Sequence, residues 1–252
     1  MFNLVDLTNK HILVTGASSG IGMEIAILVS KLGARVSLVG RKKETLENVL
    51  SKLEGNDHYL YEFDVTNFSE VDHLVSSVVE NSGLIDGFVH SAGIEMTRPL
   101  KMLKVNHYKD VFDVNTISAL EMTRVVTKNG NISNEASIIF ISSIVGLLGQ
   151  AGKTAYSASK GALIAASKCL ALELASKGIR VNTILPALVE TEMSSKLLET
   201  MSEESKINIL KMHPLGFGKA IDIANSTAFL LSPASKWITG VEFIIDGGYS
   251  AS

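Results

Sequence analysis

The chain has 252 residues, 46% of them hydrophobic and 19% charged, with a net charge of −3 and a pI near 6.1. That length can bury one substantial core. An acidic balance with no window of concentrated Lys and Arg excludes a protein that works by gripping nucleic acid or an anionic membrane.

The single cysteine, Cys169, cannot form an intrachain disulfide. It sits in an apolar helical pattern with Ala166, Leu170 and Leu174, where a buried, inert thiol is expected. The N-terminus has no basic start followed by a long apolar stretch, and no apolar run is long enough to span a bilayer, so a cytoplasmic protein without membrane partners is expected. His11, His58, His73, His90, His107 and His213 are scattered, with no His or Cys cluster. No metal site is expected, and the histidines read as structural or exposed.

Apolar runs alternate with helical-period segments along the whole chain. HILVTG (11–16) and RVSLVG (35–40) read as short buried strands, and between them Ile21, Ile25, Leu28, Val29 and Leu32 recur at helical spacing. Together they make a βαβ unit. Further strands read at HYLYEFDV (58–65), LIDGFVHSAG (84–93), SIIFISS (137–143), RVNTILPA (180–187) and VEFIIDGG (241–248). Helices read at Leu46/Val49/Leu50/Leu53, then at Val71/Leu74/Val75/Val78/Val79 behind an Asn67-to-Glu70 capping pattern, and then at 106–128, 153–177 and 220–231. Seven strands alternating with helices predict an α/β fold: a Rossmann-type doubly wound parallel sheet, covered by helices on both faces in three layers. No linker or repeat interrupts the series, so residues 1–252 are expected to form a single domain. Residues 188–214 break the rhythm directly after a strand end. They read either as a substrate lid with Leu188, Met193, Leu197, Leu198 and Met201 in a pocket wall, or as a plain surface helix pair.

Thr15-Gly16-Ala17-Ser18-Ser19-Gly20-Ile21-Gly22 lies between the first strand and the first helix. Missing side chains let the backbone approach a pyrophosphate, and the helix N-terminus offers N–H groups and a positive dipole end to it. The same loop alone would also serve as a tight βα turn. At the end of the second strand, Gly40-Arg41-Lys42-Lys43 carries no carboxylate that would repel a 2′-phosphate. NADP is therefore the expected dinucleotide and NAD the alternative. Read plainly, the three basic residues are a solvated helix start, although they oppose the dipole there.

With this loop upstream, Tyr156 and Lys160 in AYSASK (155–160) gain meaning. The sequence resembles the short-chain dehydrogenase/reductase family, in its classical branch, over essentially the whole chain. It is most similar to the 3-oxoacyl-(acyl-carrier-protein) reductase group, through RVNTILPALVET (180–191) and ITGVEFIIDGGY (238–249). The resemblance implies a catalytic set of Asn115, Ser143, Tyr156 and Lys160. It also implies cofactor contacts from Gly16, Ser18, Ser19, Gly20, Ile21, Gly22, Arg41, Asp64, Val65, Ala92, Gly93, Tyr156, Lys160, Pro186, Val189 and Thr191. Ser143 is preferred to Ser142 because it stands thirteen residues before Tyr156, the common family spacing.

Four departures from the family pattern stand out. His90-Ser91-Ala92-Gly93 replaces Asn-Asn-Ala-Gly, removing an amide that braces the central sheet. Ala187 replaces a Gly after Pro186, Ser19 stands where NADP-preferring members carry a basic residue, and Phe217 replaces an Arg.

A free tyrosine titrates near pH ~10, so acid/base use at neutrality needs a lower pKa. An ammonium four residues on, on the same helix face, is expected to supply that, making Lys160 the tuner of Tyr156. The implied activity is reduction of a small-molecule ketone by hydride transfer from NADPH, with Tyr156 protonating the oxygen, Ser143 hydrogen-bonding it, Lys160 holding the nicotinamide ribose and Asn115 linking Lys160 to solvent. An NAD-dependent alcohol, sugar or steroid dehydrogenase and a catalytically silent dinucleotide-binding regulator are the alternatives. By family analogy the chain is expected to form a homotetramer through the helices at 106–128 and 153–177.

Overall fold

The computed structural model describes residues 5–199 and 201–251. Its elements in chain order are β1 (His11–Thr15), α1 (Gly20–Lys31), β2 (Arg35–Gly40), α2 (Lys43–Leu50), β3 (Tyr59–Glu62), α3 (Val71–Ser82), β4 (Ile85–His90), α4 (Val105–Phe112), α5 (Ser118–Val126), β5 (Ile132–Ile141), α6 (Thr154–Leu174), β6 (Arg180–Pro186), β7 (Val189–Glu190), α7 (Glu192–Glu199), α8 (Glu203–Lys211), β8 (Gly218–Lys219), α9 (Ala220–Leu231) and β9 (Glu242–Ile245). Seven strands form one sheet in the order β3-β2-β1-β4-β5-β6-β9, every neighbouring pair parallel. The two-residue strands β7 and β8 pair outside it.

Parallel strands present alternate side chains to the two faces, so both faces are apolar and both need a helical cover. Ile12, Val14, Val36, Leu38, Ile139, Ile141 and Ile184 face a cluster that includes Ile25 and Val29 of α1 and Ile223 and Leu231 of α9. Their neighbours Leu13, Val39, Phe88, Ile138, Phe140 and Val181 face the other, with Val75 and Val78 of α3, Met122 of α5 and Leu163 of α6. The predicted three-layer, doubly wound fold is thus the one observed.

The chain order reverses between β1 and β4, which opens a crevice at their carboxyl ends, the place where open α/β sheets bind ligands. Two loops meet there. A Cβ on Gly16, whose φ is +66°, would lie 2.6 Å from the Ala92 nitrogen after β4, and one on Gly22 would lie 2.3 Å from the Gly16 carbonyl oxygen. Only bare backbone lets α1, its entry turn and the β4 loop close up this far.

Several expected boundaries differ. The helix read at 106–128 runs from Val105 to Val126 and is interrupted by a π-helical turn, Asp113–Ile117, between α4 and α5. At this turn the Ser118 hydroxyl bonds back to the Val114 carbonyl at 2.7 Å, competing for the ladder as a mid-helix serine can. The strands read at 58–65 and 84–93 end earlier, at Glu62 and His90, and the chain beyond each of them lines a cavity.

The Asn67-to-Glu70 capping pattern does not cap α3. A 3₁₀ turn, Phe68–Glu70, intervenes, Asn67 makes no side-chain cap bond, and its Oδ1 accepts from the Ser69 hydroxyl instead. Cys169 is exposed rather than buried. The buried face of α6 carries Leu163, Ile164, Ser167 and Ala171, and Cys169 lies off it, toward the side of Leu172, which is 82% exposed. Among the described residues no helix is long and apolar enough to cross a membrane.

A Gly22→Ala replacement pushes a methyl into backbone that cannot yield. It is expected to cost about 1–3 kcal/mol, read as a lower urea midpoint at unchanged m-value. An unchanged midpoint would mean that this turn is not locked.

Candidate active site

The crevice opens into a cavity of about 680 Å³. Its walls contain Gly16, Ser18, Ser19, Gly20, Ile21 and Gly22 from the β1–α1 turn, Arg41 after β2, Asp64 and Val65 after β3, and Ala92 and Gly93 after β4. Ser143 after β5, Tyr156 and Lys160 of α6, and Pro186, Val189 and Thr191 after β6 complete the set. Every residue expected at the site lies in this wall except Asn115, which is fully buried behind it. Ser142 also borders the cavity, but its hydroxyl is spent on the Lys160 carbonyl at 2.9 Å, while the Ser143 hydroxyl reaches the Pro186 carbonyl only at 3.5 Å and acts on the Tyr156 phenol in the lowering direction.

The β1–α1 turn suits a pyrophosphate. Ser19, the N-cap of α1, is extended and makes no side-chain cap bond, and the first turn holds no acidic residue. The N–H groups of that turn lack intrahelical acceptors, and the dipole's positive end points into the cavity wall. Of the basic run, Arg41 lines the cavity, whereas Lys43 stands 3.9 Å from Glu47 on the exposed face of α2. Asp64 accepts from the backbone and hydroxyl of Thr66 at 2.9 and 2.7 Å. Those bonds, with the Arg41 charge behind them, hold its carboxyl below the usual range. Thr191 closes over the glycine turn, its Cγ2 3.3 Å from where a Gly20 Cβ would sit.

Asn115 sits in the π turn between α4 and α5, with all its polar atoms engaged. Oδ1 accepts from the Ile94 nitrogen at 2.8 Å, and Nδ2 donates to the Ile94 carbonyl and the Ser159 hydroxyl, both at 3.0 Å. It is therefore neither a solvent-facing helix residue nor a group that touches the cavity through its side chain. It ties the β4 loop to α6. A Cβ at Gly93 would fall 3.3 Å from both Asn115 Oδ1 and Lys160 Nζ, so these side chains meet at Gly93.

The expected lowering of the Tyr156 pKa by Lys160 is not found. The Lys160 ammonium donates to the Ile141 carbonyl at 2.8 Å and lies 5.9 Å from the centre of the tyrosine ring. Burial pushes the phenol up to about 12, against the Ser143 hydroxyl and with the Glu95 charge adding to the rise. Burial likewise pushes Lys160 down to about 8. For both groups the loss of water is the largest cause of the shift.

The brace that the sequence seemed to lose is restored by His90 itself. Ser118 gives its one hydroxyl proton to Val114, so the 3.2 Å contact from His90 Nε2 to Ser118 Oγ must be donated by the imidazole. Nδ1 then accepts from Thr15 Oγ1 at 3.0 Å, and Thr15 Oγ1 in turn faces the Ala92 nitrogen at 3.5 Å. The chain of bonds fixes the tautomer and links the glycine turn, the β4 loop and the π turn that carries Asn115. Complete burial, helped by the Lys160 charge, holds the imidazole near pKa 3 and therefore neutral.

The wall also holds polar residues outside the expected set, among them Glu95, Gln150, Lys153 and His213. The i−3 spacing of Lys153 from Tyr156 was the one signal for any of them. Phe217, which stands where the family carries an Arg, packs edge-on against His213 with ring centres 5.2 Å apart. Residues 188–214 do form a helix pair, α7 and α8. They also border the cavity, with Leu188, Met193, Leu197 and Met201 in its wall and Leu198 outside it.

A parallel sheet with a dinucleotide-shaped turn at its switch point, beside a Ser–Tyr–Lys cluster in the cavity wall, defines a nicotinamide-dinucleotide oxidoreductase. Comparison with known proteins agrees. A family model described as Enoyl-(Acyl carrier protein) reductase matches residues 16–250. The chain is 36% identical over 245 residues to the 3-oxoacyl-(acyl-carrier-protein) reductase FabG of Thermotoga maritima, covering 96% of this chain and 98% of that protein. Among solved structures it is similar to a putative short-chain alcohol dehydrogenase from Sinorhizobium meliloti 1021, with a TM-score of 0.93, 30% identity, and 99% and 100% of the two chains covered. It is also similar to a short-chain glucose/ribitol dehydrogenase from Brucella melitensis, with a TM-score of 0.90, 28% identity, and 98% and 99% covered. The chain belongs to the short-chain dehydrogenase/reductase family and is an NAD(P)-dependent oxidoreductase.

His90 yields a pH test. Its folded pKa, near 3, lies below the unfolded 6.5, so in that interval the unfolded chain binds a proton that the folded one refuses, and stability falls as the pH falls from 6.5. Urea titrations from pH 7 to 4 should show a shallower decline for His90→Asn than for the wild type. Parallel declines would show that His90 does not act this way.

Proposed function

We propose that the protein reduces a ketone of the 3-oxoacyl type to a secondary alcohol with NADPH. The observation that carries this reading is that Ser143, Tyr156 and Lys160 share one cavity with the glycine turn and Arg41, so a dinucleotide laid from the turn would end beside the tyrosine. The relative in Thermotoga maritima is named for that reduction. Leu188, Met193, Leu197, Met201, Ile209 and Met212 give the cavity an apolar flank suited to an acyl chain.

The bound nicotinamide supplies hydride to the carbonyl carbon. Tyr156 gives its phenolic proton to the oxygen as negative charge gathers there, and the Ser143 hydroxyl donates to the same oxygen, so two fixed donors await the charge before it forms. A phenol at about 12 is fully protonated at neutral pH, the form that reduction requires. Lys160, still mostly cationic at neutrality with a pKa of about 8, holds the nicotinamide ribose and favours the phenolate left behind. Asn115 keeps Ile94 and Ser159 in register so that Lys160 can be reprotonated from solvent. Gly16, Ser18, Ser19, Gly20, Ile21 and Gly22 hold the pyrophosphate. Asp64 and Val65 hold the adenine, Arg41 a 2′-phosphate, and Ala92, Gly93, Pro186, Val189 and Thr191 the nicotinamide end. Residues 188–214 act as a lid, and the protein works in the cytoplasm as a homotetramer.

The test is NADPH consumption against 3-oxoacyl thioesters, steroid ketones and sugars. Thioester turnover with NADPH preferred is expected, and equal or better use of NADH would overturn the cofactor assignment. Tyr156→Phe should lower kcat by about 10²–10⁴-fold and leave dinucleotide binding nearly intact, whereas Lys160→Ala should damage both. Near-normal rates in Tyr156→Phe would contradict the mechanism.

A further inference from the structure

The same wall contains a charge pair that the reaction just described does not use. Lys153, the N-cap of α6, is 5% exposed, and its ammonium is ion-paired with Glu95 of the β4 loop. Glu95 Oε1 also accepts from the Thr97 hydroxyl at 2.7 Å. The ammonium sits 5.7 Å from the centre of the Tyr156 ring, nearly matching Lys160 at 5.9 Å. Lys153 and Lys160 stand at i−3 and i+4 from Tyr156, positions that share one face of a helix, so the phenol is flanked by two cations. The loops carrying the pair are joined next to it, where the Arg98 nitrogen donates to the Gly152 carbonyl at 2.7 Å.

We propose that Lys153, held by Glu95, is a positioning residue of the reaction: its ammonium fixes the Tyr156 ring, and the Glu95 carboxylate sets how much of its charge the phenol feels. This rests on Tyr156 being the proton donor. A cation against a ring is attracted by its quadrupole, and one near the oxygen favours phenolate. Glu95 opposes that, its charge acting on the phenol in the raising direction. Facing Tyr156 from α6 are Lys153 and Lys160, and from the β4 loop Glu95. The cavity's other titratable groups are Arg41, Asp64, Glu192, His213 and Tyr249. Burying an ion pair is costly unless geometry and hydrogen bonds compensate, and a surface clamp between two loops would not need to be sunk against the ring.

The test is the pH dependence of kcat for alcohol oxidation by the dinucleotide-bound enzyme. In that direction the phenolate is the base, so activity is lost as the pH falls through its pKa. Removing the anion in Glu95→Gln should move the ascending limb to lower pH by about one unit, and Lys153→Met should move it higher. The double variant should return toward the wild type, and Lys153→Arg should restore it.

A mere clamp would change KM or stability and leave both single-variant limbs on the wild-type curve, which would overturn the proposal. Should Lys153→Met not fold, the near-isosteric Glu95→Gln decides the matter alone. If the wild type itself turns over nothing, the proposed function fails rather than this inference. The displacement of the Tyr156 ionisation is then read from tyrosinate absorbance in the dinucleotide-bound variants, with Tyr156→Phe as the blank. An unmoved ionisation there would equally overturn the proposal.

Discussion

A parallel sheet delivers all its carboxyl ends to one edge, and everything in this site hangs from that edge. Because β1 and β4 are neighbours around which the chain order reverses, the turns leaving them must part, and the space between them is the cavity. The arrangement holds only if the loops can come close where they touch, which the bare backbone of Gly16 and Gly22 permits. The His90 bond chain then fastens the two turns to the π turn behind them. Sheet register fixes where each side chain emerges, and the buried polar network fixes how it is held.

Much of this could be read from the residues alone. Seven apolar runs separated by helical periods specify a covered parallel sheet, because a strand apolar on both sides has no other stable setting. The glycine turn and the Ser143–Tyr156–Lys160 spacing locate the cavity, since each has meaning only at a strand end or on one helix face. What could not be read depends on contacts distant in sequence. Asn67 had a suitable capping pattern, but the 3₁₀ turn of Phe68–Glu70 intervened. Cys169 followed an apolar period and yet lies off the buried face of α6. At the π turn of Asp113–Ile117, Ser118 meets both Val114 and the distant His90, and Glu95 and Lys153 are 58 residues apart.

The largest departure is electrostatic. Four residues of spacing imply that Lys160 lowers the Tyr156 pKa, and proximity alone supports that. Burial reverses the outcome, taking the phenol up and the ammonium down together, because the loss of water is the largest contribution for each. Tyr156 is thus protonated at neutral pH, with one lysine bonded to the Ile141 carbonyl and another paired with Glu95. We propose that a dinucleotide laid from the glycine turn brings its ribose to Lys160 and a substrate carbonyl to the Tyr156 phenol.

The most direct measurement of that claim is a crystal structure with NADP and a non-reducible 3-oxoacyl analogue. The account places the pyrophosphate at the N-terminus of α1, the ribose on Lys160, and the analogue's carbonyl oxygen within hydrogen-bond distance of both the Tyr156 phenol and the Ser143 hydroxyl. A dinucleotide bound away from the glycine turn, or a carbonyl turned from Tyr156, would contradict it.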